Sequence, residues 1–243
     1  MFPVICQIGS ITVYSYGLML AIAVLVCSYL SSREAKKLGI AKEVIYDFVF
    51  WVVIGGVIGA RLFYVILNMS YFWENPREII MVQNGGLAWQ GGLLLGSLSA
   101  AIFIRRRKLS FPLMADLSAP YLALGQSIGR VGCLLNGCCF GKEATWGLYF
   151  PVHHAILHPT QIYMSLAGAV NFLILIYLKT RLKVKGHLFV IYLLIEAMSR
   201  FVIEFFRADH EILAGGLSVF QYVCIIIFGA ALYANSILIR RAR

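Results

Sequence analysis

Three arginines of this chain, Arg61, Arg130 and Arg200, lie inside long apolar stretches of the sequence. A charge held in lipid is costly, and such residues usually serve a function. The guanidinium group stays charged when partly buried, and its planar fork donates paired hydrogen bonds to phosphate oxygens. Arginines at one depth on different helices therefore predict an anion site. The alternative is that each arginine only caps backbone carbonyls and holds helices together.

Two more charged residues follow Arg200 on the same stretch. Glu204 and Arg207 come four and seven positions later, which places all three side chains on one helical face. Glu204 can pair with either arginine, which makes the cluster tolerable in lipid. One positive charge is then left over, and an anion would neutralise it.

Paired glycines flank a short polar step at Trp89 and Gln90; they are Gly85, Gly86, Gly91 and Gly92. This pattern indicates a helix start or a re-entrant turn, whose exposed backbone N–H groups could face an anionic ligand. Small residues also let membrane helices approach closely, so helix packing is the alternative. We expect Gly91 and Gly92 to contribute to substrate binding.

The chain has six cysteines, but their spacing does not indicate a metal site. Cys133, Cys138 and Cys139 lack a CxxC pattern, and we do not expect the adjacent pair to bind one ion together. A metal or redox site with the histidines that follow remains a weaker alternative; these are His153, His154 and His158. A disulfide between Cys133 and Cys138 is also open.

Composition predicts the elements that position these residues. Hydrophobic residues make up 60% of the chain and charged residues 13%, which is typical of a multi-pass membrane protein and excludes an ordinary soluble domain. Seven runs are long enough to cross a bilayer, at about 12–31, 44–68, 86–104, 112–136, 160–178, 187–206 and 216–237. We predict an all-α fold, with 1–243 as a single membrane domain and extracytoplasmic loops near 69–85 and 137–159.

The basic residues predict the orientation. Clusters follow the first, third, fifth and seventh runs, for example Arg105 to Lys108, whereas the opposite connections hold only Arg77, Lys142 and Arg207. The positive-inside rule then places the N-terminus outside and the C-terminus in the cytoplasm. The net charge of +10 reflects this topology and attraction to anionic lipids, and no motif indicates a nucleic-acid partner.

Six short motifs occur in order along the chain: SYGLM (15–19), GARLFYV (59–65), NGGLAWQGG (84–92), GQSIGRVGCLLNGCCFG (125–141), HPTQIY (158–163) and RFVIEFFRAD (200–209). Together they resemble the bacterial prolipoprotein diacylglyceryl transferases, and with the predicted spans the resemblance covers almost the whole chain.

The resemblance implies a multi-pass enzyme of the bacterial inner membrane, working as a monomer without a cofactor. It would move a diacylglyceryl group from phosphatidylglycerol to the lipobox cysteine in the signal peptide of a prolipoprotein, releasing glycerol phosphate. By position, Arg130 and Arg200 would bind and stabilise the phosphate. The supporting residues would be Tyr16, Arg61, Asn136, Glu204 and Arg207.

The chain departs from the family pattern where proton transfer is expected. Gln90 replaces an expected histidine, Cys133 an asparagine and Cys138 a glutamate, and Met164 stands where an acid is common. Gln90 cannot act as a base, so we expect it to orient the substrate. His158 is the substitute base candidate, since it titrates near neutrality; the alternative is a helix cap or loop anchor.

Three other functions remain open from the sequence. The altered positions suit a lipid-binding or lipid-transfer protein of the same fold that lacks the chemistry. A small anion transporter would also use arginines, although the chain shows no paired, repeat-related broken helices. A metal or thiol redox protein is the third.

Overall fold

The computed structural model describes residues 1–8, 11–81, 85–208 and 215–242. Asn84, Asp209 and Arg243, which belong to the motifs and the terminal basic cluster, lie outside the described residues. The chain divides into two compact units. The first comprises Met1–Ser31 and Ala115–Arg243, and the second comprises Ser32–Met114. The prediction of one membrane domain stays a prediction.

The described part of the chain is mostly helical, and each of the seven predicted spans overlaps one long helix. These are α1 (Ser15–Lys37), α2 (Lys42–Leu67), α4 (Trp89–Arg106), α5 (Phe111–Asn136), α6 (Thr160–Lys179), α7 (His187–Glu204) and α8 (Val219–Ala242). A short helix, α3 (Met69–Glu74), and a 3₁₀ turn at Pro76–Ile80 lie in the predicted loop between α2 and α4.

Four of the described helices are long and apolar enough to cross a membrane: α1, α2, α6 and α8. Their side chains face outward, because only 11–28% of each apolar segment is buried within the protein. Leu173 and Ile226, for example, are 64% and 70% exposed. A surface this apolar needs lipid around it. Of the other three long helices, α5 carries Arg130 and α7 carries Glu196 and Arg200.

Two short hairpins correct the all-α prediction. In the first, β1 (Val4–Ile8) pairs antiparallel with β2 (Ile11–Tyr14), so α1 begins at Ser15 and not near residue 12. In the second, β3 (Glu143–Phe150) pairs with β4 (Ala155–Leu157) inside the predicted loop 137–159. Both hairpins are rich in β-branched and aromatic residues, which favour strands, and hydropathy alone did not reveal their pairing.

The core of the first unit lies where α5, α6 and α7 meet. Its buried members are Ala119, Ala123, Leu175, Leu188 and Tyr192. Asp116 on α5 caps the start of α7, since its carboxylate accepts hydrogen bonds from the backbone N–H groups of Gly186 and Phe189. This packing fixes α7, which carries the charged cluster, against α5, which carries Arg130.

In the second unit, glycines allow α2 and α4 to pack closely. A β-carbon added at Gly91 would collide with the backbone of Gly59, and one added at Gly59 would collide with Gly91. The predicted helix start between the glycine pairs is confirmed, since α4 begins at Trp89. Gly85 and Gly86 precede it with positive φ angles of 82° and 76°, which other residues adopt only at a cost.

Candidate functional site

A buried carboxylate joins two arginines at the end of α7. Oε2 of Glu204 lies 3.0 Å from Nη2 of Arg200 and 3.7 Å from Nε of Arg207. Glu204 is only 1% exposed, and its Oε1 accepts a hydrogen bond of 3.2 Å from the Ser218 hydroxyl. The spacing of four and seven residues therefore brings the charges together as predicted. The carboxylate fixes both guanidinium groups.

Ser218 and Gln221, at the start of α8, hold this carboxylate in position. The Ser218 N–H donates to Oε1 of Gln221 at 2.9 Å, and the Gln221 N–H donates to the Ser218 hydroxyl at 3.2 Å. This reciprocal pair is a capping box at the helix start. We did not predict either residue as part of the site, although the sequence Ser-x-x-Gln before an apolar run carries the signal.

Arg200 and Arg207 share a weak acceptor on α6. Nη1 of Arg200 lies 3.1 Å from the sulfur of Met164, and Nη1 of Arg207 lies 3.9 Å from it. The Arg200 guanidinium also lies 5.2 Å from the ring centre of Phe220. A thioether accepts hydrogen bonds only weakly, so a phosphate oxygen would be a much stronger partner for these groups.

Arg130, on α5, belongs to the same cluster. It is close enough to Arg200, Glu196 and Tyr16 for its charge to act on all three. Arg130 and Arg200 thus lie near enough to influence each other, and a shared anion site stays a prediction. With Arg207, the cluster has three arginines. Its two glutamates are Glu196 and Glu204, so one positive charge remains. That balance suits a singly charged phosphodiester.

Three cysteines converge beside Arg130, which spacing alone did not predict. The Sγ atoms of Cys133, Cys138 and Cys139 all lie within 4.8 Å of one another. Cys139 adopts a left-handed backbone with φ of 61°, and Gly137 precedes the pair with φ of 77°. These two turns bend the chain back so that the adjacent thiols reach Cys133. The adjacent thiols therefore lie beside Cys133 in one cluster.

Polar neighbours surround the three thiols. Nη1 of Arg130 lies 4.0 Å from Sγ of Cys133, and the Asn136 side chain hydrogen-bonds to the Cys138 thiol. Hydrogen bonds from the thiols of Cys133 and Cys138 lower the pKa of the Cys139 thiol far below its usual value, and the charges of Arg130 and Arg207 lower it further. These contacts favour the charged form of the Cys139 thiol.

The motif HPTQIY holds the cysteine loop. The Thr160 hydroxyl donates to the Cys139 carbonyl and the Gln161 amide to the Cys138 carbonyl, each at 2.7 Å, and both side chains are fully buried. Sequence reasoning singled out only His158 in this motif. His158 Nδ1 lies 3.2 Å from the Tyr163 hydroxyl, and its ring contacts Trp146 and Phe206. These contacts suit the loop-anchor alternative, and a role as base stays a prediction.

Arg61, in the second unit, uses all five of its N–H donors within the chain. The acceptors are the carbonyls of Glu78, Ile79, Met81, Gly85 and Gly86. Arg61 is only 7% exposed, and its guanidinium also contacts the rings of Tyr64 and Phe72. A guanidinium has no sixth donor for a ligand. Arg61 therefore shapes the loop before α4, as in the capping alternative.

Replacing Arg61 with lysine should destabilise this loop. An ammonium has three donors in a compact group, so at least two carbonyls lose their partner, at a total cost of about 1–3 kcal/mol. The thermal unfolding midpoint of the purified protein in detergent should fall. Arg77→Lys, at an exposed arginine in the same segment, is the matched control and should not change it. Equal midpoints for both variants would contradict this role.

The other candidates of the second unit lie at the start of α4. Gln90 is exposed, and Gly91 is buried against Gly59 while Gly92 packs near Gly56. The contacts of Gly91 and Gly92 are those of helix packing. The Gly92 N–H donates a hydrogen bond of 3.3 Å to the Ala88 carbonyl. Substrate binding by these glycines and substrate orientation by Gln90 stay predictions.

Comparisons with known proteins give one consistent result. A sequence model of the family described as prolipoprotein diacylglyceryl transferase matches residues 3–236, a range that includes every candidate residue above. A protein of Trichormus variabilis named phosphatidylglycerol–prolipoprotein diacylglyceryl transferase is 37% identical over 238 residues, covering 91% of this chain and 84% of the relative. A Bacillus cereus protein of the same name is 35% identical over 231 residues, covering 90% and 85%.

Proposed function

The chain belongs to the prolipoprotein diacylglyceryl transferase family, and on this premise we propose that it transfers the diacylglyceryl group of phosphatidylglycerol to a prolipoprotein cysteine. The cysteine sulfur attacks the glycerol carbon that carries the phosphate. The bond between that carbon and the phosphate oxygen breaks, and glycerol phosphate leaves with the electron pair. The product is a thioether. The enzyme is a transferase of lipoprotein biosynthesis.

The cluster of Arg130, Arg200 and Arg207 around Glu204 carries this proposal. The phosphodiester of phosphatidylglycerol has one negative charge, whereas the departing phosphate monoester gains a second. Fixed guanidinium groups therefore stabilise the transition state more than the bound substrate, which is the condition for catalysis. Arg130 and Arg200 are the proposed catalytic residues. Glu204 and Arg207 keep Arg200 in place.

Tyr16 and Asn136 are the proposed substrate-binding residues at the edge of the cluster. Tyr16 lies close to Arg130 and the three cysteines, and it is 44% exposed. Its hydroxyl can donate to a phosphate or headgroup oxygen. Asn136 ends α5 beside Cys138, where its amide can bind the glycerol headgroup.

We propose His158 as the group that receives the thiol proton. Replacing it with glutamine should slow transfer at neutral pH, because a free thiol of pKa ~8.5 is then mostly protonated. Raising the pH to about 9 should restore much of the rate, since the thiolate then forms without a base. The exposed His154, with φ of 51°, provides the control His154→Asn, which should be unaffected. An equal deficit at every pH would favour the loop-anchor role.

The functional test is direct transfer by the purified full-length protein. It is incubated with phosphatidylglycerol vesicles and a lipobox peptide, and mass spectrometry detects the diacylglyceryl thioether. A matched peptide with serine in place of the cysteine is the control and should gain no lipid. Bound phosphatidylglycerol without any thioether would overturn the proposal and favour a lipid-binding protein. That function is the second candidate because the Gln90 side chain cannot act as a base.

We further propose that all seven long helices cross the bacterial inner membrane and that the protein acts as a monomer. Supporting the topology, the basic clusters at Arg105–Lys108 and Lys179–Lys185 fall at ends predicted to be cytoplasmic. Placing a reporter enzyme after each helix tests the orientation. Activity of a periplasm-specific reporter fused after Arg107 would contradict it.

A further inference from the structure

The three thiols near Arg130 have the geometry of a metal site. Their Sγ atoms lie within 4.8 Å of one another. Around a tetrahedral ion with metal–sulfur bonds of about 2.3 Å, sulfur atoms lie about 3.8 Å apart, so only a small closing movement is needed. A disulfide would join two of the thiols and leave the third outside. Convergence of all three on one point is what a shared ion requires.

The surrounding chain holds the loop in this shape. Thr160 and Gln161 are fully buried, and they bind the carbonyls of Cys139 and Cys138. The left-handed backbone of Cys139 is uncommon outside glycine and persists only where the surroundings impose it. The two adjacent thiols are thus presented to Cys133 by a supported loop.

Charge and access also fit a metal ion. Three thiolates around a divalent ion leave one negative charge, and the positive charges of Arg130 and Arg207 act on this group from nearby. Thiolate ligands select soft ions such as Zn²⁺. Cys133 is buried, whereas Cys138 and Cys139 are partly exposed, so one side of the cluster is open. Three protein ligands with an open fourth position are typical of a zinc ion that binds a substrate.

We propose that Cys133, Cys138 and Cys139 bind a thiophilic metal ion, with Zn²⁺ as the expected one, and that its fourth position binds the thiol of the prolipoprotein cysteine. A thiol that coordinates such an ion is deprotonated at neutral pH. The ion would therefore generate the nucleophile next to the arginines that hold the phosphate. This inference rests on the proposed function, and it explains how a chain with Gln90 in place of a base activates its acceptor.

The acceptor thiol displaces a water molecule from the ion and loses its proton through water, with His158 as the proposed acceptor. The metal-bound sulfur then forms the bond to the glycerol carbon while the carbon–oxygen bond to phosphate breaks. The resulting thioether is a weak ligand and leaves the ion, and water returns to it. No electron is gained or lost by the metal.

Metal binding is tested first, without measuring activity. Purified, reduced full-length protein is titrated with Zn²⁺ and, as a spectroscopic probe, with Co²⁺. We expect one ion per chain and a sulfur-to-cobalt absorption. We expect each serine variant to lose more metal affinity than the roughly tenfold to hundredfold that is typical when a residue hydrogen-bonded to a metal ligand is replaced. The variants are Cys133→Ser, Cys138→Ser and Cys139→Ser. Cys27→Ser is the control, since Cys27 instead donates to the Tyr121 carbonyl, and it should bind normally.

The fourth position is tested with the same cobalt protein. A lipobox peptide should add a further sulfur-to-cobalt absorption, and the matched serine peptide should not. Binding that survives loss of any of the three cysteines would overturn the metal site, as would a disulfide among them in the protein as isolated. If Cys133→Ser does not fold, the partly exposed Cys139→Ser variant decides the question.

The two proposals fail in different ways. Thioether formation by wild-type protein that binds no metal would refute the metal site and leave the transferase intact. Metal binding with no thioether from wild-type protein would refute the transferase. Normal metal binding in Arg200→Ala, with loss of product, would show that the phosphate and metal sites act separately, as proposed.

Discussion

Replacing Arg130 with alanine should lower the rate of thioether formation by roughly 10²–10³-fold, the cost of removing one preorganised donor from a developing oxyanion. The phosphate gains its second negative charge as the carbon–oxygen bond breaks, and in the proposed site Arg130 is one of the three neighbouring guanidinium groups that oppose this charge. Most of the loss should appear in kcat, because the extra charge exists only in the transition state. The measurement is steady-state transfer to a lipobox peptide.

Two further variants sharpen this prediction. Arg130→Lys keeps the positive charge but not the planar fork, so its rate should fall between those of the wild type and Arg130→Ala. Arg181, an exposed arginine beyond the end of α6 that stacks on Tyr177, provides the control Arg181→Ala. The control should retain full activity. An Arg130→Ala variant that folds and transfers at the wild-type rate would contradict the role of the cluster.

Replacing Glu204 with glutamine should both destabilise the protein and reduce transfer. The amide keeps the shape of the side chain, but Arg200 and Arg207 lose the carboxylate that neutralises them; their side chains are 16% and 8% exposed. Removing one partner of a buried ion pair costs about 3–5 kcal/mol. The thermal unfolding midpoint in detergent should therefore drop sharply.

The transfer rate of Glu204→Gln should also fall, because Arg200 is no longer held in one orientation. Glu143→Gln changes an exposed glutamate of β3 and serves as the matched control for both measurements. Added phosphatidylglycerol should restore part of the lost stability, since its phosphate supplies the missing negative charge. An unchanged midpoint would show that the pair does not stabilise the fold.

The sequence predicted the helices well, because crossing lipid requires long apolar runs and these are visible in composition alone. Each predicted span overlaps a helix, as at α2 and α6. The hairpins at Val4–Tyr14 and Glu143–Leu157 were missed, since pairing between strands depends on partners that hydropathy does not reveal. Four of these helices, α1, α2, α6 and α8, are long and apolar enough to cross a membrane by composition alone.

The candidate site was predictable where it follows helical periodicity. Arg200 and Glu204 share one face of α7, and Arg207 follows in the turn just beyond its end, so their contact could be inferred from spacing. The hydrogen-bond partners of Arg61 could not be inferred in this way, because they are backbone carbonyls up to 25 residues away along the chain. The three-cysteine cluster depends on the left-handed turn at Cys139, which residue spacing does not encode.

The most direct test of the central claim is to measure both products of one reaction. Purified protein is given phosphatidylglycerol and the lipobox peptide, and thioether and glycerol phosphate are quantified over time. We expect equal amounts of the two products, formed together and both lost in Arg130→Ala. Glycerol phosphate released without thioether, or thioether formed equally well by Arg130→Ala, would contradict it.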